Sequence, residues 1–163
     1  MHIILKNNFL VYNNYKLKCA IGKRGIKYKK KEGDKSTPRG LFRLKYVLYR
    51  KDRIKKPKTL LKTKVLKKNM GWCNDVKSNS YNKLIKFPFQ FKAEKLYRKD
   101  NTYNIIVVLD YNMDPIVKGK GSAIFLHLSK KGYKPTLGCV ALNLKDLYFI
   151  LKTINKRVLL KII

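Results

Sequence analysis

The sequence predicts a mostly-β domain with one or two helices. Short runs rich in Val, Ile, Leu, Phe and Tyr alternate with Asn- and Gly-containing turns along most of the chain, a pattern typical of β-strands. One segment near the C-terminus has the apolar periodicity of a helix instead. The 163 residues contain neither an internal repeat nor a recognisable linker. We therefore expect residues 1–163 to form a single domain, which is long enough to bury a substantial core without disulfides or metals.

The first 21 residues predict a β-meander of three strands. The β-prone runs are Ile3–Leu5, Phe9–Tyr12 and Tyr15–Ile21. Asparagine pairs separate them, and Asn tolerates the positive φ that tight hairpin turns require. In the third run apolar residues alternate with polar or small ones, as in a half-buried strand. Cys19 lies on the apolar side, so we expect it in the core as a small hydrophobic residue.

The central part of the chain predicts loops and further strands. Residues 22–40 are loop-like, with several Gly and a Pro, and residues 51–83 are long, polar and irregular. Loops of that length inside compact domains are usually functional or mobile. The other predicted strands are Leu41–Tyr49, Asn104–Leu109, Ser122–Leu128 and the C-terminal Arg157–Ile163.

A single helix is predicted after residue 143. Asn143 is a favourable N-cap, and Asp146 follows three residues later in an arrangement close to a capping box. The apolar stripe that would face the core is Leu144, Leu147, Tyr148, Leu151 and Ile154.

The charge of the chain is extreme and limits its partners. Lys and Arg number 40 against nine Asp and Glu, a formal net charge of +31. Such a field favours acidic partners, and a basic protein that binds nucleic acid or another polyanion without catalysis is the main alternative function. Only seven of the 40 basic residues are Arg, the side chain best suited to phosphate and base edges, so we expect no specific nucleic-acid partner.

The sequence also bears on membranes and localisation. No apolar run approaches the roughly 18 residues of a membrane-spanning helix. The N-terminus has no long apolar core and no small-residue cleavage site of a signal peptide. We therefore expect neither a membrane span nor a recognisable signal peptide. We also expect the protein to be a monomer.

One segment carries candidate chemistry. His127 lies near the end of an apolar strand, and Cys139 follows Gly138 twelve residues later in a Pro/Gly-containing loop. A nucleophilic thiol needs a nearby base, close substrate approach and oxyanion donors. His2 is the only other histidine, so a Cys–His pair would be Cys139 with His127. The alternative is a buried core histidine and a small buried cysteine. Cys and His are too few and too scattered for zinc, and we expect neither metal nor cofactor.

Several motifs around that pair resemble one family. His127 followed by Thr136-Leu-Gly138-Cys139 resembles the active-site pattern of the L,D-transpeptidases, the YkuD-type catalytic domain. The similarity extends over about residues 19–163. The other matching segments are Glu32–Gly40 around Thr-Pro-Arg-Gly, Gly71–Asp75, Tyr81-Asn82, Glu94–Asp100 and Gly119–His127.

The resemblance implies a fold and a reaction. The fold would be the YkuD-like β-sandwich or barrel. Cys139 would attack a peptidoglycan stem peptide to form a thioester, with His127 as base and with a neighbouring imidazolium favouring the thiolate. Crosslinking, D-amino acid exchange or L,D-carboxypeptidase trimming would follow in the cell envelope or periplasm, with the cytoplasm as the other possible location. A cysteine peptidase or amidase, or a wall-binding domain without catalysis, are alternatives on the same scaffold.

Further candidates surround the pair. Gly138 and Thr136 are expected to form the oxyanion loop, Thr136 mainly by shaping it, and Ser122 to line the site. The family's common arginine two residues after the cysteine is Ala141 here, and the candidates to replace it are Arg39, Arg98 and Arg24. Trp72 is either a wall of the substrate groove or a packed aromatic residue, and Asp75 is a candidate to bind an ammonium group. Glu94, Arg98 and Asp100 are interpreted as a structural ion-pair set, and Cys19 and Cys73 as possible disulfide partners.

Overall fold

A computed structural model describes residues 2–28 and 31–163. In these ranges the chain forms fourteen strands and one helix. The strands are β1 (Ile3–Lys6), β2 (Phe9–Tyr12), β3 (Tyr15–Lys18), β4 (Ile26–Lys27), β5 (Thr37–Pro38), β6 (Gly40–Tyr49), β7 (Lys62–Val65), β8 (Met70–Cys73), β9 (Leu84–Lys86), β10 (Ala93–Lys95), β11 (Ile105–Leu109), β12 (Phe125–Leu128), β13 (Val140–Leu142) and β14 (Leu159–Ile162), and the helix is α1 (Leu144–Thr153).

A nine-stranded sheet forms the body of the protein. Its order is β13-β12-β11-β6-β14-β1-β2-β3, and β7 adds to β6 beside this path. The chain after β3 returns to the opposite edge, where Ala20 and Ala141 exchange two backbone hydrogen bonds of 2.8 and 2.9 Å. A second bridge joins Gly22 to Thr136. These contacts bring the two edges together, so the sheet is nearly closed into a barrel. The mostly-β, barrel-like prediction is confirmed.

The inside of the barrel is apolar and the helix completes it. Side chains alternate along each strand, and the inward set includes Leu10, Val107 and Leu126, all with no exposed surface. In α1, the residues Leu147, Ile150 and Leu151 are buried in the same core. The cap is as predicted, because the Asn143 side chain accepts a hydrogen bond from the Asp146 amide at 2.8 Å.

A second apolar cluster lies on the other face of β6, β11 and β12. Leu48, Ile106, Val108 and Phe125 point to this side, whereas their neighbours along each strand point into the barrel. The smaller sheet β10-β8-β9 supplies Trp72 to the same cluster. Because both faces of β11 and β12 are covered, β11 is apolar throughout and β12 is apolar except for His127. Cys139 belongs to this second cluster.

Several predicted boundaries were wrong. Residues 51–83 are not wholly irregular, because they contain β7 and β8, and residues 22–40 contain the short pair β4 and β5. The predicted strands beginning at Tyr15 and Ser122 are shorter, at Tyr15–Lys18 and Phe125–Leu128. Leu144, assigned to the buried stripe of the helix, is 39% exposed, and Ile150 takes its place. Cys19 and Cys73 are buried and unpaired thiols.

Candidate active site

A cavity of about 640 Å³ lies between β10 and the β12–β13 pair, and it contains both candidate catalytic residues. Strands β12 and β13 run parallel with His127 opposite Ala141. Cys139 precedes Ala141 by two residues and therefore faces the same side of the sheet as His127. Both side chains line the cavity, where Cys139 is 9% exposed. Two residues that are twelve apart in the sequence are thus diagonal neighbours on one surface.

The Cys139 thiol is held by two backbone groups. Its Sγ donates to the carbonyl of Ala123 at 3.1 Å and accepts from the amide of Phe125 at 3.4 Å. An amide donor to sulfur stabilises negative charge as it develops there. The thiol is therefore positioned by the backbone at the start of β12, the strand that also carries His127.

The loop before Cys139 is fastened by two threonines. Thr136 Oγ1 donates to the carbonyl of Cys139 at 2.6 Å and accepts from the amide of Gly138 at 3.1 Å. Thr37 Oγ1, which is fully buried, donates to the carbonyl of Gly138 at 2.9 Å and accepts from the amide of Gly22 at 2.8 Å. The Thr-Pro turn at residue 37 therefore holds the loop that carries the thiol.

Gly138 is required by its conformation and by its neighbours. Its φ is +143°, and a Cβ at this position would lie 2.9 Å from the carbonyl oxygen of Ser36. Its amide is bonded to Thr136 inside the loop. These hydrogen bonds show that Thr136 shapes the loop, as expected, and that the Gly138 amide already has a partner within the loop.

His127 is oriented by the main chain, and its ring is neutral. Its Nδ1 lies 2.9 Å from the carbonyl oxygen of Leu128. A carbonyl only accepts, so Nδ1 carries the proton and Nε2 has the free lone pair. Burial lowers the pKa of His127 from 6.5 to about 4, although the hydrogen bond to Leu128 raises it in part. At neutral pH the ring is uncharged and able to take a proton.

Tyr103 packs on the histidine and connects it to a carboxylate. The rings of Tyr103 and His127 meet edge to face with centroids 5.3 Å apart, a favoured aromatic geometry. The Tyr103 hydroxyl donates to Glu94 at 2.7 Å. Burial raises the pKa of Glu94, and this hydrogen bond lowers it in part. Burial also raises the pKa of Tyr103, and the nearby charge of Cys139 adds to the effect. The tyrosine therefore lies within electrostatic reach of the thiol.

A second tyrosine and glutamate lie on the thiol side of the cavity. The Tyr81 hydroxyl donates to Glu32 and accepts from the amide of Gly121 at 2.9 Å. Glu32 lines the cavity, as does Ser122, which directly follows Gly121. The next residue, Ala123, is the one whose carbonyl accepts from the Cys139 thiol.

These elements fall within a region that matches a known family model. The model for the L,D-transpeptidase catalytic domain, YkuD, matches residues 2–160. The chain belongs to the YkuD family of L,D-transpeptidases. No curated protein is matched by the sequence. The matched region contains both strands of the candidate pair, the loop before Cys139 and the turn at Thr37.

Among the remaining residues predicted for an L,D-transpeptidase site, Ser122 and Arg98 line the cavity. The Arg98 guanidinium is bound by the Asp100 carboxylate, with hydrogen bonds of 2.6 and 3.0 Å, and it lies over the Tyr103 ring at 5.3 Å. Arg98 and Asp100 therefore form the predicted ion pair. Glu94 was wrongly included in that set, because its hydrogen-bond partner is Tyr103.

Three predicted substrate contacts lie elsewhere. Trp72 is 2% exposed, donates to Asn82 at 3.0 Å and packs on Phe125, so it is a core residue and not a groove wall. The Asp75 carboxylate accepts the amides of two nearby lysines at 3.0 and 3.1 Å, which shapes its loop. Exposed Arg39 stacks on Tyr28 outside the cavity.

Ala141, the departure from the family's pattern, is buried at the cavity beside His127. The cations that line the cavity are Lys92, Arg98, Lys130 and Lys134, and the three lysines are exposed at its rim.

Among residues 2–28 and 31–163, no three His, Cys, Asp or Glu side chains group as metal ligands. In the same part of the chain no helix is long and apolar enough to cross a bilayer.

The sequence did not reveal the roles of Tyr103, Tyr81, Thr37 and the two glutamates. Thr37 had a usable signal, because a Thr-Pro turn of the family stands there. Tyr81 also had one, because Tyr81-Asn82 is among the segments that resemble the family, whereas Tyr103 had none.

Proposed function

We propose that the chain is a cysteine-dependent L,D-transpeptidase that acts on peptidoglycan stem peptides through a thioester on Cys139. Membership of the L,D-transpeptidase family supports the reaction class. The observation that carries the assignment of residues is the placement of Cys139 and His127 on one face of adjacent parallel strands, both lining one cavity. The main-chain partner at Nδ1 leaves Nε2 as the nitrogen able to take the thiol proton.

In the proposed reaction the Cys139 proton passes to His127 Nε2 as the sulfur attacks the substrate. The sulfur attacks the carbonyl carbon at the L-centre of the third residue of the stem, and the carbonyl π bond becomes an oxyanion. When this collapses, the bond to the terminal D-amino acid breaks, and its nitrogen takes the proton from His127. A thioester remains. Because the pKa of His127 is about 4, proton transfer accompanies the attack, whereas the sequence-based expectation was a preformed imidazolium–thiolate pair.

The acceptor decides the product. An amine of a second stem would give a crosslink, a free D-amino acid would give exchange, and water would give L,D-carboxypeptidase trimming. We place the activity at the cell envelope, where this polymer is found. The net charge of +31 supports association with an acidic wall, and high salt would weaken that association without abolishing the chemistry.

The test is intact-mass spectrometry of the protein mixed with disaccharide tetrapeptides. We expect an adduct that lacks the terminal D-amino acid, together with release of that amino acid. The variant Cys139→Ser should give no thioester. Cys73→Ser is the matched control, because its thiol is also buried but lies outside the cavity.

The absence of both adduct and released amino acid, in protein shown to be folded, would overturn the proposal. The polyanion-binding alternative would then be tested by DNA binding. It predicts tight, salt-sensitive binding that Cys139→Ala does not change.

A further inference from the structure

The acidic residues of this very basic protein are unusually placed. The chain has two glutamates, Glu32 and Glu94, among nine acidic residues. Both line the cavity that holds Cys139 and His127. Each accepts a hydrogen bond from a tyrosine hydroxyl. Within residues 2–28 and 31–163, neither forms an ion pair with Lys or Arg. With 40 basic residues in the chain, two carboxylates that are hydrogen-bonded to tyrosines in one cavity require a reason.

Glu94 lies on the histidine side of the cavity. Tyr103 bridges it to His127 through a hydrogen bond and an edge-to-face ring contact. The Arg98 guanidinium is near enough to lower the pKa of Glu94, but it is hydrogen-bonded to the Asp100 carboxylate. Burial nevertheless raises the pKa of Glu94, and the charge of Glu32 raises it further. The two carboxylates are therefore close enough to repel each other.

Glu32 lies on the thiol side. Tyr81 bridges it to the amide of Gly121, two residues before Ala123, which holds the Cys139 thiol. Glu94 is thus connected through Tyr103 to His127, and Glu32 is connected through Tyr81 to the segment that holds the Cys139 thiol. A group bound between the two glutamates would lie in the same cavity as the Cys–His pair.

Two residues that line the same cavity each have a buried side-chain oxygen with no hydrogen-bond partner among the described residues. Ser122 Oγ and Asn74 Oδ1 are inaccessible and make no hydrogen bond with the described residues, and both residues line the cavity. Ser122 is 6% exposed. Its hydroxyl is near enough to Tyr81 to affect the pKa of that phenol, but the geometry is not that of a hydrogen bond. Unsatisfied buried acceptors are costly, and a donor from a ligand would satisfy them.

We propose that Glu32 and Glu94, with Ser122 beside them, form a subsite for a primary ammonium group of the substrate. An ammonium has three N–H donors, and the two carboxylates and the hydroxyl offer three acceptors. Its positive charge would relieve the repulsion between the carboxylates. The net field of the protein repels cations, so a cationic group would enter this site only where such a local pair attracts it.

This subsite rests on the proposed function for its substrate. The ammonium can come from the side chain of the acyl donor or from the amine of the acceptor. The two sources are distinguished by the step that depends on the glutamates, which is thioester formation for the donor and thioester resolution for the acceptor.

The experiment measures binding and acylation separately. Tetrapeptide donors carrying a free side-chain amine at the third residue are compared with the same donors acetylated at that amine. Calorimetry with Cys139→Ala gives the Kd without chemistry, and intact mass of the wild-type protein gives the acylation rate. The same measurements are made with Glu94→Gln and Glu32→Gln. Asp110→Asn is the matched control, since it removes one negative charge outside the cavity and keeps the oxygen that accepts from the Arg43 amide.

For a donor-derived ammonium, we expect the free amine to be preferred at least tenfold in Kd, a ratio typical for loss of a charge-assisted contact. Each Gln variant should remove most of this preference, and Asp110→Asn should retain it. For an acceptor-derived ammonium, Glu94→Gln and Glu32→Gln should slow resolution by an amine about tenfold more than they slow resolution by water.

Equal binding of free and acetylated donors, with amine resolution unaffected in both Gln variants, would overturn the subsite. The acetylated donor tests the wild-type protein directly, so this comparison holds even if a Gln variant fails to fold. Preference for the amine without any acylation would support the subsite and reject the thioester mechanism. Acylation with equal binding of the two donors and with amine resolution unaffected in both Gln variants would support the thioester mechanism and reject the subsite.

Discussion

Acidification should destabilise this protein through His127. The pKa of the ring is 6.5 when exposed and about 4 when buried in the fold. Between these values the unfolded chain binds a proton that the folded chain does not, so folding stability rises with pH across this window. The stability associated with the neutral ring is present above pH 6.5 and is lost as the pH falls towards 4. With 1.36 kcal/mol for each pKa unit, the loss between pH 7 and pH 4 is about 3 kcal/mol.

The assay is urea unfolding at pH 7, 5 and 4, for the wild-type protein and for His127→Gln. Gln is uncharged throughout, and its amide N–H can donate to the carbonyl of Leu128. The variant should be less stable at pH 7 because of its altered packing. Between pH 7 and pH 4, however, the wild type should lose about 3 kcal/mol more than the variant, and about 2 kcal/mol of this should be lost by pH 5. Other titrating groups cancel in this comparison.

The acylation rate should follow the same pKa. If His127 is the base, the acid limb of the rate against pH should have its midpoint near 4 and not near 6.5. Equal losses of stability in the two proteins, or an acid limb centred near 6.5, would refute the argument that burial keeps this ring neutral.

Three further outcomes are expected. Gly138→Ala should lower the free energy of unfolding in urea by about 2–4 kcal/mol, because the new Cβ clashes with backbone at a strained φ. Gly132 lies in the same loop at φ +76° with open space around it, so Gly132→Ala should lower that free energy by only about 1–2 kcal/mol. Similar values for both would contradict the steric role of Gly138. Asn143→Ala should lower the free energy of unfolding by about 1 kcal/mol through loss of the helix cap, and no change would mean that the cap is dispensable. In the native protein iodoacetamide should label Cys139, at the cavity, and spare Cys19, because burial raises the pKa of Cys19 to about 12; peptide mapping that finds Cys19 labelled first would contradict this.

Local patterns accounted for much of the fold. The meander at the N-terminus, the strand at Gly40–Tyr49 and the capped helix at Leu144–Thr153 all follow from alternation, turn residues and a cap, which act over a few positions. The candidate pair of Cys139 and His127 was selected for a different reason. Few side chains in this chain are suited to nucleophilic catalysis, so few candidate nucleophiles and bases had to be considered before any geometry was known.

Long-range packing decided the surroundings of that pair. Trp72 and Asp75 have residue types suited to a binding site, yet one is a core aromatic and the other a loop acceptor. Glu94 had the residue type of a surface ion pair, and it lies in the cavity bonded to Tyr103. A residue's partners across a sheet are set by which strands pair and in which register, and local sequence does not contain that information.

The chemistry of the candidate site is likewise divided between what the sequence determines and what the folded structure determines. The sequence by itself determined that a thiol, an imidazole and a glycine loop are present, because residue type defines what each group can do. The tertiary structure decided that the imidazole is neutral, that Gly138 supports the loop and that two glutamates line the cavity that holds the thiol. Burial, hydrogen-bond partners and nearby charges set these properties. Here they come from Thr37, which bonds the loop before Cys139, from Tyr81, which bonds Gly121, and from Tyr103, which packs on His127; these contacts form only when the chain is folded.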